Sequence, residues 1–224
     1  MKSFYDCVLF DLDGTLIDTI ELIYQCYRLL FLNRFKYDVK REDIIPYIGI
    51  PLKDQFLKHI PDLSEEELSD MADEFMNYQY SLYKEYLKPF PGSVETLKEL
   101  KKEKIKTGVV TSRRKNSAIL YCDKTGLRLF LDIIVAVEDT QKHKPHPEPV
   151  IRAISTLNVL PERTLFVGDA VFDIEAGIKA GVDTAFACWG SNSIENLTPT
   201  PKFFFKSFDE VLSFVLCNNL SIKE

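Results

Sequence analysis

One interruption in an otherwise regular pattern limits what this chain can fold into. From residue 91 onward, short runs rich in β-branched and small residues (107–111, 133–137, 164–167, 182–187 and 203–205) alternate with amphipathic stripes. The stripes run through Val94, Leu97 and Leu100, then Ala118, Cys122 and Leu127, then Val150, Ile154 and Leu157. Val171, Ile174 and Ile178 follow, and Val211, Leu212, Val215 and Leu216 close the series. Helical spacing between buried-type strands predicts a doubly wound parallel α/β sheet with right-handed crossovers. An apolar run at 5–10 supplies one more strand, yet residues 18–87 separate it from the next. That stretch reads as helix, through Ile20, Ile23, Tyr27, Leu30 and Phe31 and then through Phe56, Leu57 and Ile60. Ser64 and Glu67 form a capping box that opens a further helix through Leu68, Met71, Phe75 and Tyr78. It is too long for an ordinary crossover. The expected organisation is therefore a Rossmann-like core of residues 1–17 and 88–224, with an all-helical insert at 18–87 standing over the sheet edge and jointed near 16–20 and 86–92.

With 224 residues, 46% of them hydrophobic, the chain has ample material for a core, and disorder is excluded. Its 28 basic and 34 acidic residues leave a net charge of −6, which disfavours nucleic acid and anionic membrane as partners. Five dispersed cysteines form no CxxC pair and read as buried thiols of a reducing compartment. No apolar leader or membrane-spanning run is evident, so a cytoplasmic protein is expected. A monomer or weak homodimer is expected as its state.

Ligands of open parallel sheets bind beyond the carboxyl ends of the strands. Asp11 and Asp13 follow the first predicted strand, and Thr111, Ser112 and Arg113 follow the second. Lys144 comes after the third, and Asp169 and Asp173 come after the fourth. Four carboxylates, a hydroxyl and an amine thus converge on one edge. Carboxylates that close oppose each other's ionisation unless a cation offsets them, and an all-oxygen site suits Mg²⁺.

The run Phe10-Asp11-Leu12-Asp13-Gly14-Thr15-Leu16 resembles the first motif of the haloacid dehalogenase-like hydrolase superfamily. Val110-Thr111-Ser112 resembles the second motif and Lys144-Pro145 the third, while Val167-Gly168-Asp169 through Asp173 and Gly177 resembles the fourth. The insert is similar to the helical cap of the subfamily that contains phosphoglycolate phosphatases, β-phosphoglucomutase and a bacterial pyrophosphatase. The resemblance implies that Asp11 is the nucleophile, forming an aspartyl-phosphate, and that Asp13 is the acid and base. It implies Mg²⁺ held by Asp11, Asp169 and the main-chain carbonyl of Asp13, with Asp173 outside that shell ordering a water or Lys144. Thr111 and Lys144 would meet the phosphoryl group, with Gly14, Ser112 and Arg113 as further substrate contacts. One departure stands out. Relatives often carry a hydroxyl residue after the fourth-motif aspartate, where this chain has Ala170. The expected activity is hydrolysis of a small anionic phosphorylated metabolite resembling phosphoglycolate. Inorganic pyrophosphate is the alternative, and β-phosphoglucomutase activity or a non-catalytic binding module ranks lower.

Overall fold

The computed structural model describes residues 5–190 and 197–220. Strand β1 (Cys7–Phe10) is followed by a two-residue strand, β2 (Ile17–Asp18), and by four helices. These are α1 (Ile20–Phe35), α2 (Arg41–Ile44), α3 (Leu52–His59) and α4 (Glu65–Tyr86). Strand β3 (Lys88–Pro89) returns the chain to helix α5 (Ser93–Lys102) and strand β4 (Lys106–Val110). Alternation then resumes with α6 (Lys115–Lys124), β5 (Ile133–Val135), α7 (Glu148–Leu157), β6 (Thr164–Gly168) and α8 (Val171–Ala180). Strands β7 (Asp183–Ala187) and β8 (Phe203–Phe205) and helix α9 (Phe208–Leu220) complete it.

Six strands form one sheet in the order β5-β4-β1-β6-β7-β8, and every pair is parallel. β1 is buried on both faces and divides its side chains by parity. Val8 and Phe10 join Leu97, Leu100, Val211 and Val215 of α5 and α9. Cys7 and Leu9 point the other way and join Val150, Ala153 and Ala176 of α7 and α8. β4, the next strand of this sheet along the chain, lies on one side of β1, and β6 lies on its other side. This reversal opens a crevice beyond Phe10, where Asp11 begins.

The four inserted helices stand over that crevice. Helices α1 and α4 pack along one another, and Tyr27, Phe56 and Phe75 meet edge to face between α1, α3 and α4. The Ser64–Glu67 box is formed, with Glu67 N–H donating to Ser64 Oγ and Ser64 N–H donating to Glu67 Oε2. Both ends of the insert pass through an antiparallel ribbon in which Ile17 pairs with Pro89 and Asp18 with Lys88. No helix among the described residues is long and apolar enough to cross a membrane.

Gly92, at φ +83°, takes the cap position of α5, and Ser93 is the first helical residue. One local expectation changes. Ile178 is exposed, and Ile174 and Ala176 carry the buried side of α8.

Candidate active site

Asp11 continues β1 by one residue, and its N–H donates to the Val167 carbonyl at 2.9 Å. Beyond it the chain turns back, with Leu16 and Ile17 N–H both reaching the Leu12 carbonyl. Gly14 makes that turn at φ +82°, where a Cβ would stand 2.4 Å from Asp169 Oδ2. The loop after β1 is thereby brought against the loop after β6. Thr15 Oγ1 donates to Asp169 Oδ1 at 3.2 Å across the same gap.

Lys144 enters from the loop before α7 and is buried together with its partners. Its Nζ donates to Asp11 Oδ1 and Asp173 Oδ1, each at 2.6 Å, and to the Val110 carbonyl at 3.2 Å. Burial opposes its charge, but the two carboxylates outweigh this and raise its pKa. Asp173 lies in the first turn of α8, and its Oδ2 accepts from Ala170 N–H at 3.0 Å. Burial drives the Asp11 carboxyl well above the ordinary range against the pull of Lys144, and the charges of Asp173, Asp169 and Asp13 push the same way.

Asp13 faces a different neighbour. Arg113 Nε and Nη2 donate to its two oxygens at 2.9 and 2.5 Å, and Thr19 Oγ1 donates to Oδ1 at 2.5 Å. Burial would raise the Asp13 carboxyl, but Arg113 and the bonds from Arg113 and Thr19 hold it below its ordinary value. The third arm of Arg113, Nη1, donates to Gln79 Oε1 of α4 at 2.7 Å, and its guanidinium lies 4.4 Å over the Tyr121 ring. Tyr121 O–H also donates to Gln79 Oε1, at 3.2 Å. Arg113, expected to contact substrate, is thus engaged with Asp13 and the insert.

Ser112 behaves similarly, its Oγ donating to the Gly49 carbonyl of the insert at 2.7 Å. Arg114 Nη1 reaches Asp73 Oδ1 at 3.2 Å. Three consecutive residues after β4 therefore each hold the insert. Thr111 Oγ1 accepts from Arg113 N–H at 3.1 Å and lines the cleft. Ala170, lacking a hydroxyl, is buried against the same insert loop: a Cβ on Gly49 (φ +118°) would meet its Cβ at 3.2 Å.

The cleft between insert and sheet edge has a volume of about 370 Å³, with Asp11, Asp13 and Thr111 on its floor. Among the described residues, Asp11, Asp13, Asp169 and Asp173 bring four buried carboxylates to the floor, where Lys144 meets Asp11 and Asp173 and Arg113 meets Asp13. Oxygens of Asp11, Asp169 and Asp173 all lie within 4.8 Å of one another. A hard divalent cation fits this all-oxygen donor set.

The expected residues Asp11, Asp13 and Thr111 form this floor, with Lys144, Asp169 and Asp173 gathered against it and Arg113 beside it. The sequence reading missed Thr19, Gln79 and Tyr121. Gln79 had left a trace, as a polar residue four positions beyond Phe75 on the apolar stripe of α4.

A parallel sheet with acidic loops at the ends of β1 and β6, and a helical insert after β1, defines a class. Residues 8–187 match the family model described as haloacid dehalogenase-like hydrolase, and the chain belongs to that family. Among curated relatives, the pyrophosphatase PpaX of Bacillus cereus (strain G9842) is 36% identical over 182 residues, or 81% of this chain and 82% of that protein. The pyrophosphatase PpaX of Bacillus anthracis (strain CDC 684 / NRRL 3495) is 33% identical over 96% of this chain and 98% of its own length. The fold is also that of a crystal structure described as a "predicted phosphoglycolate phosphatase" from Haemophilus somnus, with TM-score 0.85, 20% identity and 98% of each chain covered.

Proposed function

We propose that this protein is a Mg²⁺-dependent phosphatase that moves the phosphoryl group of a small phosphorylated metabolite first to Asp11 and then to water. The observation that carries the reading is a buried carboxylate on the cleft floor, held 2.6 Å from Lys144, with a second carboxyl two residues on.

An Asp11 oxygen attacks phosphorus in line, so that a P–O bond to Asp11 forms as the bond to the leaving oxygen breaks. Lys144 offsets charge on Asp11 and on the transferring group. Asp13 gives a proton to the leaving oxygen and later takes one from the attacking water, roles that Asp11 cannot fill while bonded to phosphorus. Its ionised, Arg113-bound state suits the second half. The first half requires Asp13 to carry a proton taken up from solvent before transfer, with the protonated oxygen turned from Arg113 or Thr19 toward the leaving group; the proton then taken from the attacking water restores that state. The Thr111 hydroxyl and the amides near Leu12 and Ser112 would donate to phosphoryl oxygens, with Gly14 shaping the loop that presents them. Asp11, Asp169 and the Asp13 carbonyl would hold Mg²⁺, leaving Asp173 to order Lys144. When bound, the ion would neutralise phosphoryl oxygens and hold them in line. Residues 18–87 form the cap in this reading, and the β2–β3 ribbon is the joint on which it opens for exchange and closes against water.

Inorganic pyrophosphate is the second reading, favoured by what the PpaX relatives are called. Incubation with phosphoglycolate, pyrophosphate and β-glucose-1-phosphate, scoring free phosphate and sugar isomer, separates hydrolase from mutase. Asp11→Asn should abolish turnover with folding intact; undiminished Mg²⁺-dependent turnover in that variant refutes Asp11 as nucleophile.

A further inference from the structure

Above the floor, the cleft changes character. Its cap-side wall is formed by Ile23, Ile48, Ile50, Ala72, Phe75 and Met76. The polar groups between them are already engaged. Gln55 accepts from Tyr27 O–H at 3.0 Å and donates to the Ile50 carbonyl at 2.8 Å. Gln79 accepts from Arg113 and Tyr121.

Among the described residues, the three Lys and Arg side chains lining this cleft each have a carboxylate partner, and the one further basic side chain of the lining is the imidazole of His143, whose buried Nδ1 has no hydrogen-bond partner. Lys53 stands 3.2 Å from Glu65, Arg114 stands 3.2 Å from Asp73, and Arg113 holds Asp13. Asp54 and Glu138 add two negative groups to the lining. An anionic leaving group entering this space loses its water, meets the carboxylates of Asp54 and Glu138, and finds every lysine and arginine of the lining already beside a carboxylate, with only the His143 nitrogen left to meet it. A carbon framework loses little and covers apolar wall.

We propose that the leaving group this cleft receives is uncharged and carbon-rich, so that the substrate is an organic phosphomonoester and neither pyrophosphate nor phosphoglycolate. This rests on the phosphatase reading above and narrows its substrate class. Ile48, Ile50 and Met76 are the specificity-determining side chains.

The test compares kcat/KM for pyrophosphate, phosphoglycolate and the ladder of methyl, ethyl, propyl and butyl phosphate. Propyl phosphate and phosphoglycolate are close in size and both release a primary alkoxide, so their ratio isolates the charge. The expected result is a rise of about fourfold per methylene along the ladder, with propyl phosphate ahead of both anionic substrates by about tenfold or more. Met76→Lys, which adds a cation to the wall, should flatten the ladder and raise phosphoglycolate relative to propyl phosphate. Either anionic substrate outrunning propyl phosphate, or a flat ladder in the wild type, overturns the proposal. If turnover still depends on Asp11 in that case, the phosphatase reading stands without it. Absence of Mg²⁺-dependent phosphate release from every substrate overturns both. Should Met76→Lys fail to fold, the wild-type ladder and ratio decide alone.

Discussion

Arg113 answers to three neighbours at once: Asp13 through two hydrogen bonds, Gln79 through a third, and Tyr121 through its ring face. A guanidinium can do this because its donors lie in one plane as a rigid fork, whereas a lysine offers a single point charge. The pair is nearly dry, with Arg113 and Asp13 side chains 6% and 12% exposed. Removing one partner of such a pair strands a buried charge, at about 3–5 kcal/mol. Arg113→Met should therefore destabilise the protein by that order in urea unfolding, while Arg113→Met combined with Asp13→Asn should regain much of the loss. A double variant no more stable than the single one would mean that Arg113 acts through packing on Tyr121 alone. The acidic residues and Lys144 were legible because each follows a strand, where a chemical role is expected from topology. Thr19, Gln79 and Tyr121 were not, since their roles come from side chains meeting across separate elements.

Among the elements, those with a strong local pattern were readable. Strands β1, β4, β6 and β7 are apolar runs stopped by polar residues, and α4 announces its start with Ser64 and Glu67. The ribbon of β2 and β3 was legible only as a joint, because two residues per strand carry no periodicity and pair only when the insert folds. Helix α2, four residues long, is likewise too short to show a period. Helix α3 brings a testable burden to the cap. His59 ends it among the rings of Tyr27, Phe31 and Tyr47, at centroid distances of 5.9, 5.7 and 5.6 Å. Burial holds its imidazole below the ordinary value, against an opposing pull from Asp43. The unfolded chain therefore takes up this proton first as pH falls past about 6.5. The contribution of His59 is full above that pH and is lost progressively toward its depressed folded value. Thermal melts across this window should show a steeper decline for the wild type than for His59→Phe. Equal slopes would place the acid sensitivity elsewhere.

For the molecule as a whole, the proposed metal site would link stability to metal. The strands and loops that bring oxygens of Asp11, Asp169 and Asp173 within 4.8 Å of one another do so against their mutual repulsion, which Lys144 reduces at Asp11 and Asp173. A divalent ion bound among them is expected to strengthen the fold. At a free Mg²⁺ concentration of 100 times its Kd, the gain is about 2.7 kcal/mol. For a chain of this size that is a rise in Tm of about 5–10 °C. Asp169→Asn separates this account from an ordinary structural role, because it removes one carboxylate of the cluster while keeping an acceptor for Thr15. In chelator-treated protein the variant should melt higher than the wild type, and in saturating Mg²⁺ it should melt lower, with the gain from the ion largely gone. A variant that melts lower under both conditions would show that Asp169 serves packing and hydrogen bonding. A wild type whose Tm ignores Mg²⁺ would mean that the edge carries its charge without a metal.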